Sequence, residues 1–172
     1  VGNGLFQYNK RWVRDHYWRR GQNRGYLTVA EGIAISSNVV MSKIVLKGYE
    51  NNPARYVEGI DRIGLRKQLK WDVPLNGIEG TSSIRFPNDK TNYWSKTTLP
   101  WMSFGYETKI PPIYMLMFYN GIANGGNMIK PFIAKQFVKD GKVLREMEAE
   151  VVNPRMCKEI TLQQIQEMLV GV

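Results

Sequence analysis

The chain is poor in the side chains that most often build metal and redox centres. Its 172 residues include one cysteine, Cys157, and one histidine, His16. A lone cysteine supplies neither a disulfide framework nor a thiolate cluster. A lone histidine argues against a zinc site or a Ser-His-Asp triad assembled from this chain alone. No metal and no cofactor is expected. The sequence also lacks an apolar run of membrane-spanning length and a charged-then-apolar leader. Acids are the scarcer charge: 15 Asp and Glu stand against 24 Lys and Arg, a formal net charge of +9. What is present is a folded composition, with 43% hydrophobic and 12% aromatic residues. Such a chain is long enough for one domain with a substantial core.

The most informative stretch runs from Gly25 to Gly48. Thr28 with Glu31 three residues later predicts a capping box, the hydroxyl and the carboxylate each satisfying a free amide of a first helical turn. Val29, Ala30, Ile33 and Ala34 then share a helical face. Ser36, Ser37 and Asn38 interrupt that pattern, since short polar side chains compete for backbone hydrogen bonds. A second stripe follows at Val40, Met41, Ile44 and Val45. Two short helices thus meet at three small polar residues. On the tripeptide alone the plain reading is an N-cap. The rigid junction is equally a place to present a hydroxyl and a carboxamide to a cleft.

The run L-T-V-A-E-G-I-A-I-S-S-N-V-V-M-S-K-I, Leu27 to Ile44, resembles the S-x-N element and preceding helix of penicillin-binding transpeptidases. The likeness is to the class B, septal or cell-division type. Ser36 and Asn38 match the serine and asparagine, and Ser37 is the x. Further likenesses follow in order. Trp12-Val13-Arg14-Asp15-His16 is similar to the extended segment before that helix, and A-R-Y-V-E-G-I-D-R-I-G-L, Ala54 to Leu65, to the helix after it. Ser103-Phe104-Gly105-Tyr106 resembles the family's S-F-G-Y-G, with Glu107 where that pattern has glycine and Pro111 where it has threonine. A glycine's freedom at positive φ is thereby lost at Glu107. No serine is followed three residues later by lysine, and no K-T-G or K-S-G occurs; Lys96-Thr97-Thr98 lacks the glycine.

The resemblance implies an α+β fold: the helix-rich portion of a penicillin-binding-protein and β-lactamase-like transpeptidase domain, with a C-terminal β-hairpin. Residues 1–172 would be a partial domain, with S-x-x-K expected before Val1 and the third motif beyond Val172. It implies a parent D,D-transpeptidase of cell-wall biogenesis, cell division and cell shape. A serine outside this chain would attack D-Ala-D-Ala of a peptidoglycan stem peptide, and a second peptide's amine would resolve the acyl-enzyme. Ser36 would relay a proton and Asn38 would orient the catalytic lysine and bind the substrate amide. Ser37, Asp15 and His16 are the accompanying candidates for substrate binding. Expected partners are stem peptides, β-lactams in the intact protein, and division-complex proteins. The expected location is the extracytoplasmic (periplasmic) face of the cytoplasmic membrane, with an anchor not in this chain.

The charge leaves other classes open. Lys10, Arg11, Arg14, Arg19, Arg20 and Arg24 are interleaved with Tyr8, Trp12, Tyr17, Trp18 and Tyr26. That pattern suits a single-strand nucleic-acid platform. It equally suits a charged strand whose rings pack inward, and basic charge beside a cleft suits a carboxylate-bearing peptide. The resemblance favours the last, so no nucleic acid is expected. A catalytically dead interaction domain of the same fold is the remaining alternative.

The rest of the chain reads more simply. Short strands are expected near Leu5–Tyr8 and Trp12–Asp15. Asn52-Pro53 starts a helix that buries Ala54, Val57 and Ile60 and stops at Gly64. Residues 67–100 show no sustained period, and no chemistry is assigned to them. Ile113 to Ala123 is apolar almost all round and predicts a central core helix. Asp140-Gly141 between alternating runs predicts a hairpin within Pro131–Val152. Leu162, Ile165, Met168 and Leu169 predict a last helix.

Overall fold

A computed structural model describes residues 2–72, 82–87, 90 and 93–172. In chain order the elements are β1 (Leu5–Tyr8), β2 (Arg11–Arg14), a single 3-10 turn at Trp18–Arg20, α1 (Val29–Ala34), α2 (Asn38–Tyr49), α3 (Pro53–Ile63), β3 (Ser83–Ile84), α4 (Thr98–Met102), β4 (Thr108–Lys109), α5 (Pro112–Ala123), β5 (Met128–Lys130), β6 (Gln136–Lys139), β7 (Lys142–Glu146), β8 (Glu150–Asn153) and α6 (Glu159–Leu169). They divide into two compact units, residues 1–59, 84–108 and 163–172 in the first and 60–83 with 109–162 in the second.

In the first unit, β1 and β2 form an antiparallel hairpin in which Tyr8 faces Arg11. Its two turn residues, Asn9 and Lys10, both lie at positive φ, 45° and 62°. That is the mirror-image turn that matches strand twist, made here without glycine. The expected capping box is present: Thr28 Oγ1 accepts from Glu31 N at 3.2 Å, and Glu31 Oε2 accepts from Thr28 N at 2.7 Å. Those contacts, the Thr28 amide first, hold the Glu31 carboxyl below its ordinary range.

The two helical stripes differ from expectation. In α1 the buried residue is Gly32, while Val29 is 44% exposed. A β-carbon on Gly32 would meet Val40 Cγ1 at 2.5 Å, so glycine permits the close crossing of α1 and α2. In α2 the buried residues are Val39, Val40, Ser42 and Leu46, whereas Ile44 is exposed. The packed face is shifted because Ser42 is drawn inward, its hydroxyl donating to the Pro100 carbonyl of α4 at 3.2 Å. A polar residue thus occupies a buried helical position without an unsatisfied group.

The stretch read as irregular, 67–100, contains β3 and the start of α4, whose Thr98, Leu99 and Pro100 are buried. Residues 73–81 of that stretch lie outside the described residues. Asn52 Oδ1 accepts from Arg55 N at 3.4 Å and opens α3 as expected, with Val57 fully buried.

The second unit is built on α5. Tyr114 and Met117 pack with Leu65, Leu69, Met128, Val152 and Met156. The Tyr114 hydroxyl donates to the Lys67 carbonyl at 2.8 Å, which satisfies the polar end of a ring buried among apolar side chains. Gly121 lets Met156 and Met128 approach the helix backbone. Within this unit α5 is buried on one side only, with Leu116 and Tyr119 about half exposed. β5 pairs antiparallel with β8, and Lys130 bridges Glu150 at 2.9 Å. β6 and β7 form the expected hairpin, Lys139 facing Lys142 across Asp140 and Gly141 at φ 52° and 74°. It is shorter than the alternation implied, because Ile133 and Ala134 instead donate their amides to Asp72.

Candidate functional site

The junction of α1 and α2 is held from β2. Ser37 is the N-cap of α2, its hydroxyl accepting from Val40 N at 3.1 Å. The same hydroxyl donates to Asp15 Oδ2 at 2.8 Å, and Val39 N donates to Asp15 Oδ1 at 3.0 Å. Asp15 and Ser37 are 1% and 0% exposed. A buried carboxylate is costly unless hydrogen-bonded, and here both oxygens have donors. Asn38, the first residue of α2, donates Nδ2 to the Arg14 carbonyl at 2.8 Å. The end of β2 therefore fixes three consecutive positions of the junction.

Ser36 has the opposite disposition. It lies at φ 51°, a left-handed conformation that costs a residue with a β-carbon about 1–2 kcal/mol. It is exposed, and among the described residues its hydroxyl has no hydrogen-bond partner. Ser36, Asn38 and Met41 line an open cavity of about 350 Å³ together with Gly32, Ile33, Ser37 and Phe104. The two most distinctive stretches of the sequence, Ser36–Asn38 and Ser103–Tyr106, thus meet at one cavity through Phe104. Of the five candidates, the structure brings Ser36, Ser37 and Asn38 together here. Asp15 is not at the wall: it sits behind it as the anchor of Ser37 and Val39. His16 is exposed, its ring edge-on to Tyr17 at 5.6 Å between centroids. Burial first, with the neighbouring Asp15 carboxylate second, pushes the Tyr17 hydroxyl up to about 12, so it stays protonated at neutral pH.

Sequence reasoning did not single out Gly32, Met41 or Phe104 as parts of this wall. A glycine inside a helical pattern, as at Gly32, is the one available signal, because it lowers helix stability unless something packs closely against it. Glu107 is a further surprise. It keeps a positive φ of 61° although it is not glycine, and its carboxylate pairs with Arg85 at 2.7 Å.

The fold around this junction is that of solved transpeptidase domains. The transpeptidase domain of Burkholderia pseudomallei penicillin-binding protein 3 aligns with a TM-score of 0.70 at 23% identity, covering 99% of this chain and 44% of that one. Penicillin-binding protein 2X of Streptococcus thermophilus aligns with a TM-score of 0.69 at 17% identity, covering 99% and 23% respectively. The family model for the penicillin binding protein transpeptidase domain matches residues 2–172, and the chain belongs to that family. A peptidoglycan D,D-transpeptidase FtsI homolog of Mesostigma viride is 29% identical over 128 residues, 73% of this chain. The chain spans 19% of that relative's length.

Proposed function

We propose that this chain supplies the S-x-N element of a serine D,D-transpeptidase that cross-links peptidoglycan stem peptides, with a role in cell division. The observation that carries the reading is the division of labour at the junction. Ser37 is turned inward as a cap, while Ser36 and Asn38 stand at the cavity wall with Phe104. Ser36, with its hydroxyl uncommitted, passes a proton between the catalytic lysine and the leaving nitrogen. Asn38, with Nδ2 held by Arg14, offers its carboxamide oxygen to that lysine or to the substrate amide. Asp15 acts through Ser37 and Val39 as a positioning residue rather than by touching substrate.

The nucleophile belongs to an S-x-x-K motif, which the 172 residues do not contain. The 172-residue polypeptide is therefore a partial domain that takes up no penicillin by itself. The longer protein is anchored at the membrane, faces the cell wall, binds β-lactams and works with division proteins. The test is acylation by a fluorescent penicillin. The 172-residue chain should stay unlabelled, and labelling of it would overturn the assignment of the nucleophile. In a longer protein that carries all three motifs, Ser36→Ala should slow acylation by ~10²–10⁴-fold, the usual yield of a general acid–base group. An unchanged rate would remove Ser36 from the mechanism.

A further inference from the structure

The segment from Arg14 to Arg24 carries a cluster that the proposed chemistry leaves unused. Arg14 and Arg19 both lie over the indole of Trp18, their guanidinium carbons 5.1 and 5.5 Å from the ring centroid. Arg24 lies over the ring of Tyr17 at 4.9 Å. Tyr17 is itself fully buried, so the ring beneath Arg24 is a fixed support. All three arginines are exposed, as are Arg11 and Arg20 nearby. Among the described residues none of the three forms an ion pair. The acid of this stretch, Asp15, is buried with both oxygens taken by Ser37 and Val39. Among the described residues the one polar contact of these guanidinium groups is a long one, Arg24 to Gln22 Oε1 at 3.5 Å.

Guanidinium groups laid on rings keep their N–H edges free, and the planar fork then pairs with two oxygens of one anion. Holding like charges together without a counter-charge is unfavourable, which an incoming anion reverses. A carboxylate has two oxygens and a single charge. A phosphate group has more oxygens and up to two charges, and matches several forks at once. We propose that Arg14 and Arg19, supported on the shared ring of Trp18, form a binding site for a phosphate group. The site is independent of acyl transfer: it requires neither Ser36 nor an external nucleophile, so each assignment can fail without the other.

The test uses the 172-residue chain with inorganic pyrophosphate as the probe, followed by NMR of the arginine Nε and tryptophan indole signals. Saturable shifts are expected at Arg14, Arg19 and Trp18. Arg14→Gln with Arg19→Gln should weaken binding by about tenfold or more, the scale of one lost charge-assisted hydrogen bond. Trp18→Leu, which keeps every charge, should weaken it about threefold or more through loss of the cation–π support. Lys139→Gln with Lys142→Gln removes the same charge from the β6–β7 hairpin and should leave the affinity nearly unchanged. An equal loss in that hairpin variant, or no saturable binding at all, overturns the proposal. Vesicles of phosphatidylglycerol and of phosphatidylcholine separate the sources. Binding to the anionic vesicles alone, displaced by pyrophosphate, assigns a lipid headgroup, and pyrophosphate binding without vesicle binding assigns a soluble phosphate. Oligothymidylate binding that survives the arginine changes but is lost in Trp12→Leu overturns the site in favour of a base-stacking surface.

Discussion

Replacing Asp15 with alanine tests whether the end of β2 holds the Ser36–Asn38 junction in place. The side chain accepts two hydrogen bonds, from Ser37 Oγ at 2.8 Å and from Val39 N at 3.0 Å, and all three residues are essentially inaccessible. Hydrogen bonds to a charged group are worth ~1.5–3 kcal/mol each, and a buried donor left unpaired costs ~1–3 kcal/mol. Ser37 keeps its contact to Val40 N and can rotate its proton elsewhere, so its loss is the smaller. The Val39 amide has no such freedom. The expected destabilisation is therefore ~3 kcal/mol, a large share of the ~5–15 kcal/mol typical of a domain. Asp15→Asn keeps one acceptor oxygen and should lose about half as much. Urea unfolding gives the size, and amide hydrogen exchange at Val39 and Val40 gives the place. A double-mutant cycle with Ser37→Ala should show a coupling of ~1 kcal/mol or more, as expected for groups in direct contact. If Asp15→Ala loses less than ~0.5 kcal/mol, the range of an ordinary surface change, the clamp is not what fixes the junction.

Three further outcomes follow from the same packing and hydrogen bonds. Gly32→Ala should lower stability by ~1–3 kcal/mol through overpacking, because its β-carbon would meet Val40 Cγ1 at 2.5 Å. Adding Val40→Ala should recover part of that loss, and thermal melts that show no recovery would place the strain elsewhere. Glu107→Gly should leave stability equal or raise it by ~0.5 kcal/mol, since relief of the left-handed conformation outweighs a partly exposed ion pair with Arg85; a clear loss in urea unfolding would give the ion pair the larger share. The Asp72 carboxyl is held below its ordinary value, chiefly by the Ala134 amide. A depressed carboxyl contributes its stability above the unfolded-state value, ~3.9, and loses it as pH falls through the lower folded-state value. The amide shifts of Ile133 and Ala134 should therefore titrate with a midpoint below ~3.9, and a midpoint at or above that value would contradict the observed pairing.

Local rules made some of this legible in the sequence. Thr28 with Glu31, Asn52 before Pro53 and Asp140-Gly141 each act within four residues, so spacing alone locates them. The buried faces were less legible, because Val39, Ser42 and Gly32 are placed by partners remote in sequence, such as Pro100 lying 58 positions from Ser42. Hydrophobic periodicity ranks Ile44 above Ser42 and has no means of knowing that a carbonyl waits for the serine. The same limit applies to Asp15, whose bond to Ser37 joins residues 22 positions apart. Positive φ at Lys10, Ser36 and Glu107 was hidden for a different reason, since glycine is the usual signal and none is present.

Ser36 joins these points into one physical account. A helix capped by Ser37, with that side chain pulled inward to Asp15, needs the chain to reverse sharply after α1. Ser36 provides the reversal at φ 51°, and the left-handed backbone leaves its side chain at the exposed wall instead of in the core. Strain of this kind persists only where the surroundings over-determine it. Here the Asp15 carboxylate, the Val40 amide and the Asn38–Arg14 bond do so together. The N-cap and the proposed catalytic element are therefore the same feature: Ser37 stabilises the junction that holds Ser36 at the cavity. Weakening the clamp should then impair Ser36 before it unfolds α2. In a longer protein that carries all three motifs, Asp15→Asn should slow penicillin acylation by about tenfold while circular dichroism at 25 °C stays native, the scale expected when a catalytic group is misplaced by a fraction of an ångström. An unimpaired acylation rate in that variant, with Val39 protection lost, would show that the hydroxyl does not depend on the clamp.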